Sequence, residues 1–209
     1  QFTPDLSSVV LRLRDIRPDV VIATSYYQDA VLFQRQSREL GFYVPAFIGT
    51  SAGYGLAELG EALGNYVNGI FNSDIPSRIN PQGLRPQARE LHNEYLRRFR
   101  ARAGKEPTGF GTAAFAGTWL LLTEVLPKAG SVDPERIRQA ALSVDLPEGS
   151  LITGWGVKFA PPEARNAGYN LRSFSIIQQW QNGRLVTVWP RQLATHQPIH
   201  IPLPPWERR

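Results

Sequence analysis

Apolar positions along the chain change period more than once, and each change marks a different kind of element. Leu6, Val9, Val10, Leu13 and Ile16 recur at helical spacing. They follow Thr3-Pro4-Asp5, where a hydroxyl cap and a proline at the first helical position start a helix. Pro18 ends that helix, and residues 19–25 (DVVIATS) have the near-continuous apolar character of a strand covered on both faces. Residues 28–40 return to helical spacing, with Ala30, Phe33, Ser37 and Leu40 on one face and Gly41 supplying a left-handed stop. A short strand over residues 46–49, a short helix over residues 56–63 closed by Gly64, and a third strand over residues 66–72 (YVNGIFN) follow. This alternation predicts parallel strands joined by right-handed crossovers.

Residues 74–86 (DIPSRINPQGLRP) carry three prolines and a glycine, which breaks the pattern and reads as a crossover between lobes. Ala88, Leu91, Tyr95 and Phe99 then give a helix with one apolar stripe. Residues 110–126 are apolar nearly all round, which predicts a buried helix, and Asp133-Pro134-Glu135 caps another one bearing Ile137, Ala140, Ala141 and Val144. Beyond residue 150 the period becomes extended. Residues 151–152, 157–159 and 173–180 read as strands, and Asn182-Gly183 is a two-residue hairpin turn into residues 184–189. Residues 198–209 form a proline-rich, irregular tail.

The fold class implied is α/β with parallel-sheet lobes and a C-terminal antiparallel hairpin. In such a sheet the helices bury both faces, so ligands meet the carboxyl ends of the strands. The residues there are Ser25-Tyr26-Tyr27 after the first strand and Thr50-Ser51-Ala52 after the second. A rigid ring with a hydroxyl suits a pocket wall, and of Tyr26 and Tyr27 one is expected to point in and the other to pack away.

Composition adds limits. The chain has 209 residues, 42% hydrophobic and 20% charged, enough for one large domain or parts of two. It opens on Gln1 and contains no methionine, so it reads as a processed or truncated piece. With no cysteine, disulfides and thiol chemistry are excluded. No apolar run is expected to reach the ~20 residues that cross a bilayer. The net charge of +5 gathers between Arg85 and Lys105, where seven basic residues face only Glu90 and Glu94. Without a nucleic-acid motif or aromatic platform, that run is the solvated face of a helix and not a nucleic-acid surface.

Three motifs compete with a binding role. Gly49-Thr50-Ser51-Ala52-Gly53 matches G-x-S-x-G between a strand and a helix, so a serine hydrolase with Ser51 as nucleophile and His196 or His200 as base is the alternative from another class. Gly109-Phe110-Gly111-Thr112-Ala113-Ala114 mimics a dinucleotide fingerprint but lacks the strand that must precede it. His196 and His200 have a metal-binding spacing that Pro198 breaks. No cofactor, no metal and no catalytic group is therefore expected.

The stretch DLSSVVLRLRDIRPDVVIATSYYQDAVLFQRQSRELGFYVPAFIGTSAGYG, then EPTGFGTAAFAGTWLLLTEVL, then an NGR hairpin and VWP, resembles the C-terminal portion of the periplasmic leucine/isoleucine/valine-binding protein family. These are type I solute-binding proteins of ABC importers. The resemblance implies two hinged lobes: residues 1–73 and 176–209 in the C-terminal lobe, and residues 77–172 in part of an N-terminal lobe whose front is absent. It implies a small polar ligand (amino acid, amide or small carboxylate), a permease partner, the missing N-terminal part as a second partner, and a periplasmic or extracellular location. A ligand-sensing ectodomain on the same fold is the other reading it allows. It places Tyr26 in the cleft and Phe110 near the ligand. Ser51 stands where amino-acid-binding members carry a Glu that pairs with the ligand ammonium, with Asp29 and Asp74 the nearest acids. Burying an ammonium without an anionic partner is costly, so a neutral amide or a carboxylate is at least as plausible.

Overall fold

A computed structural model describes residues 4–209, and at Ala52 the backbone alone. The chain divides into two compact units, one made of residues 1–74 with 176–209 and the other of residues 75–175.

The first unit is built on a five-stranded sheet in the order β1-β2-β3-β6-β7. It opens with α1 (Ser7–Ile16), whose first N–H and hydroxyl donate to Asp5 Oδ1 at 2.9 and 2.6 Å. The cap expected at Thr3 lies outside the described residues. β1 (Val20–Thr24), β2 (Ala46–Thr50) and β3 (Phe71–Asp74) are parallel, with Ile22 beside Ile48 and Ile48 beside Phe71. Between them run α2 (Tyr27–Glu39), the single turn α3 (Ser51–Tyr54) and α4 (Ala57–Leu63). β6 (Ile176–Gln181) pairs antiparallel with β3, and β7 (Arg184–Trp189) with β6, through the Asn182-Gly183 turn, where both residues have positive φ. The core lies on one face of this sheet, where Val21, Phe47 and Trp180 meet Ala30, Tyr54, Leu59 and Val10.

The third strand is displaced from its expected position. Gly64–Val67 is a 3-10 turn, and Gly69 adopts φ +88, so extended structure starts only at Phe71. The tail is irregular, as its prolines require, yet it is firmly held. Leu203 N–H donates to Pro45 O at 2.7 Å, and Trp206 Nε1 donates to Phe42 O at 2.8 Å. Gln179 and Gln181 use side-chain amides in place of a strand ladder. Ile199 N–H donates to Gln179 Oε1 at 2.8 Å, and Gln181 Nε2 donates to Gln197 O at 2.8 Å. Among the tryptophans, Trp180 and Trp206 are buried and Trp155 donates to Phe174 O, whereas Trp189 is half-exposed at the sheet edge.

The second unit contains α5 (Pro86–Ala103), α6 (Gly109–Leu120), α7 (Leu126–Ala129), α8 (Pro134–Leu142) and a small antiparallel pair, β4 (Asp145–Leu146) with β5 (Val157–Lys158). Residues 151–152, expected as a strand, form a turn and pack by their side chains. Asp133 caps α8 through Oδ1, which accepts from Arg136 N–H at 3.0 Å. Two expectations about the apolar helix are corrected. A π-helical stretch, Leu121–Val125, joins α6 to α7, so Gly109–Ala129 is one 21-residue helical run, long and apolar enough by length and composition to cross a membrane. Nor is it buried all round. Ala116, Val125 and Ala129 face the unit's cores, while Trp119, Leu121 and Leu122 are exposed, Leu122 at 58%.

Candidate functional site

Parallel pairing of β1 with β2 brings the loops that follow them to the same end of the sheet. The last register pair is Thr24 with Thr50, and Thr50 Oγ1 lies 3.2 Å from Thr24 Oγ1. Tyr26 follows directly. It is the N-cap residue of α2, its backbone is extended (φ −84, ψ 169), and its ring is 73% exposed. Tyr27 turns the other way: it packs against the core, and its hydroxyl donates to Glu58 O at 3.3 Å. On the second strand, Ser51 opens α3 with φ +48, a left-handed conformation rare for a residue with a side chain. The backbone of Ala52 lies in the same turn. Tyr26, Thr50, Ser51 and the Ala52 backbone are thus gathered at neighbouring strand tips. Thr24 joins them, a residue the sequence reading passed over. Its signal was present in the alternation of β1, which puts positions 20, 22 and 24 on one face.

Phe110 belongs to the second unit. It sits in the first turn of α6, after Thr108, whose Oγ1 caps the helix by accepting from Gly111 N–H at 3.1 Å, and its ring is 49% exposed. The two acids named beside Ser51 differ in setting. Asp29 lies in the first turn of α2 with Oδ1 buried and without a hydrogen-bond partner. Asp74 ends β3, nearly buried, and Oδ2 accepts from Asn72 Nδ2 at 3.3 Å.

The glycines of the G-x-S-x-G stretch are explained by close packing. A Cβ on Gly49 would come within 2.0 Å of the Tyr54 ring, and one on Gly53 within 2.4 Å of Ser25 O. One on Gly55 would meet Asp74 Oδ2 at 2.4 Å. Tyr54 is fully buried under the loop, and burial pushes its phenol up to about 12. The partners a hydrolase needs are elsewhere. His200 packs against Gly69, which precedes the amino end of β3, whereas Ser51 follows the carboxyl end of β2. His196 is tied to Thr187 on β7, three strand spacings or roughly 14 Å from β2. Among the described residues no group of three or more His, Asp or Glu side chains could hold a metal.

A separate groove of about 570 Å³ lies between α5 and α6, lined by Leu91, Tyr95, Phe99, Phe115 and Trp119 together with Glu94, Arg98 and Arg102. Its wall is mostly rings and aliphatic carbons, so it offers packing surface and few groups to orient a small polar molecule.

Sequence comparison decides the family. A model of the periplasmic binding protein family matches residues 2–167. The chain belongs to the periplasmic binding protein family. Its relatives within it include Leu/Ile/Val-binding protein homolog 8 of Brucella abortus, 32% identical over 194 residues, which covers 92% of this chain and 46% of the relative. Homolog 7 of the same organism is 32% identical over 202 residues, 96% of this chain and 48% of the relative. The chain thus spans about half the length of the relatives it matches. Among solved structures, a leucine-binding protein from Thermotoga maritima superposes with a TM-score of 0.68 at 22% identity, over 88% of this chain and 48% of that one. An extracellular ligand-binding receptor from Rhodopseudomonas palustris gives 0.71 at 21% identity, over 89% and 52%. The mixed sheet with its parallel core is the fold of these type I binding proteins. The names in this family are those of binding proteins.

Proposed function

We propose that the chain is part of the solute-binding component of an ABC importer, working in the periplasm or outside the cell and delivering its solute to a membrane permease. The ligand is a small polar solute, an amino acid, an amide or a small carboxylate. It is met by Tyr26, Thr50, Ser51 and the backbone of Ala52, with Thr24 beside them. The observation that carries this reading is the row of hydroxyls at the tips of two neighbouring parallel strands, topped by one exposed tyrosine. Hydroxyls both donate and accept, so they suit a ligand recognised by hydrogen bonds. No acid occupies position 51, and a carboxylate or amide therefore fits these tips better than a bare ammonium.

A thermal-shift screen of the complete gene product against amino acids, amides and small carboxylates tests the class of ligand. A solute bound only by the folded protein raises its melting temperature. Calorimetric titration of the best solute then tests the site: Tyr26→Ala should weaken binding about tenfold, roughly 1.4 kcal/mol. The melting temperature without ligand should stay unchanged, because the ring is mostly exposed. Unaltered affinity in both Tyr26→Ala and Ser51→Ala would remove the site from these strand tips.

A further inference from the structure

We propose that Ser73 is a specificity-determining residue, the third hydroxyl of a row that recognises a neutral primary amide on the solute. The proposal rests on the ligand site argued above and narrows its choice of amino acid, amide or carboxylate to the amide. Register, exposure and charge carry it, all within the first unit.

Thr24 pairs with Thr50 across β1 and β2, and Thr50 pairs with Ser73 across β2 and β3. Register partners in a sheet point to the same face, so three hydroxyls stand side by side at the carboxyl ends of three parallel strands. The next partner along the row is Ile177 on β6, and the polar strip stops there. Along β3 the alternation is strict. Asn72 and Asp74 turn to the core face and are buried, whereas Phe71 and Ser73, on the other face, stay partly exposed. Thr24 and Thr50 bond to each other at 3.2 Å, but among the described residues Ser73 Oγ has no side-chain partner. Neighbouring strands lie about 4.8 Å apart, and the edge of a planar amide fits between hydroxyls at that spacing. Its carbonyl oxygen accepts from one hydroxyl and its N–H donates to the other, since each hydroxyl oxygen both donates and accepts.

Charge separates the amide from the other two classes. Residues 20–29, 46–55 and 71–74, which form these strands and the turns after the first two, contain no Lys or Arg. Their charged residues are Asp29 and Asp74. A carboxylate held here would lose its water beside two acids, with no cation to offset the loss. An ammonium is no better served. Asp74 lies on the core face, nearly buried, where Oδ2 accepts from Asn72 Nδ2, and Asp29 Oδ1 is enclosed by protein. A neutral amide needs no ionic partner and uses the hydroxyls as they stand.

Calorimetric titration of the complete gene product with acetamide, butyramide and benzamide, each against its own acid (acetate, butyrate, benzoate), tests this. At least one amide should bind, and about tenfold or more tightly than its acid. Ser73→Ala should weaken that amide about tenfold and leave its acid within about twofold, so the preference collapses. Ser73→Thr restores a hydroxyl and should restore the preference, which a merely structural role for position 73 does not predict. Both variants should melt like the parent without solute, because the hydroxyl is partly exposed and unbonded. Binding by none of the three amides, an acid bound as tightly as its amide, or a preference unchanged in Ser73→Ala overturns the proposal. Tyr26→Ala and Ser51→Ala, titrated alongside, keep the two readings apart. If they weaken the amide and Ser73→Ala does not, only the role of Ser73 falls. If none of the three weakens it, the strand-tip site itself falls.

Discussion

At the scale of single residues, the loop after β2 is governed by clearances of a few ångströms. Gly49 has no room for a methyl group beneath the Tyr54 ring, so Gly49→Ala should destabilise the first unit by about 2–3 kcal/mol, measured by urea unfolding. Ser51 holds a left-handed backbone, and Ser51→Gly should relieve that strain and add about 1 kcal/mol. The two changes lie in one five-residue motif and have opposite signs, which a purely catalytic account of that motif does not predict. In the second unit, His92 is buried with Nδ1 unpartnered, and burial above all lowers its proton affinity below the ordinary 6.5. The unfolded imidazole takes up a proton more readily than the folded one. Stability is therefore intact above pH 6.5 and falls as pH drops below it. Urea midpoints taken between about pH 8 and about pH 5 should decline on the acid side, and His92→Gln should flatten that decline.

Among elements, those with strong local signals were legible and those set by long-range packing were not. α5 was readable from its apolar stripe, and α8 from its Asp133 cap. Asp133→Ala should cost about 1 kcal/mol by leaving the Arg136 N–H without its acceptor. The third strand was misplaced because YVNGIFN has strand-like composition throughout, while the positive φ at Gly69 turns the chain in its middle. Continuous apolar composition in residues 110–126 implied burial on every side. Composition reports what a surface can bury, and the buried side of this helix is set by what the second unit places next to it. Leu122 is on the open side, so Leu122→Gln should change the stability of residues 1–209 by no more than ~0.5 kcal/mol, against 2–5 for a core leucine. The same reasoning separates the tryptophans. Trp206→Ala removes a buried ring and the bond that fastens the tail to Phe42, and should cost about 3–5 kcal/mol.

For the whole molecule, the α-β alternation was enough to announce parallel strands, and pairing Thr24 with Thr50 then followed from geometry. The sheet order was not readable, since β6 and β7 return from far along the chain to extend the sheet antiparallel beside β3. A solute held by the native protein should stabilise it by about 2.7 kcal/mol at a hundredfold excess over its Kd, a shift readable in the same thermal screen.

By itself the sequence determined most of the helices and the residues at the tips of the first two strands, because hydrophobic period, caps and turn residues act within a few positions of one another. Tertiary structure alone decided which of two tyrosines stays in solvent, which side of the 21-residue helical run is covered, and that both histidines of the tail lie away from Ser51. Those outcomes depend on residues distant in the chain meeting in space, and no local pattern encodes such a meeting.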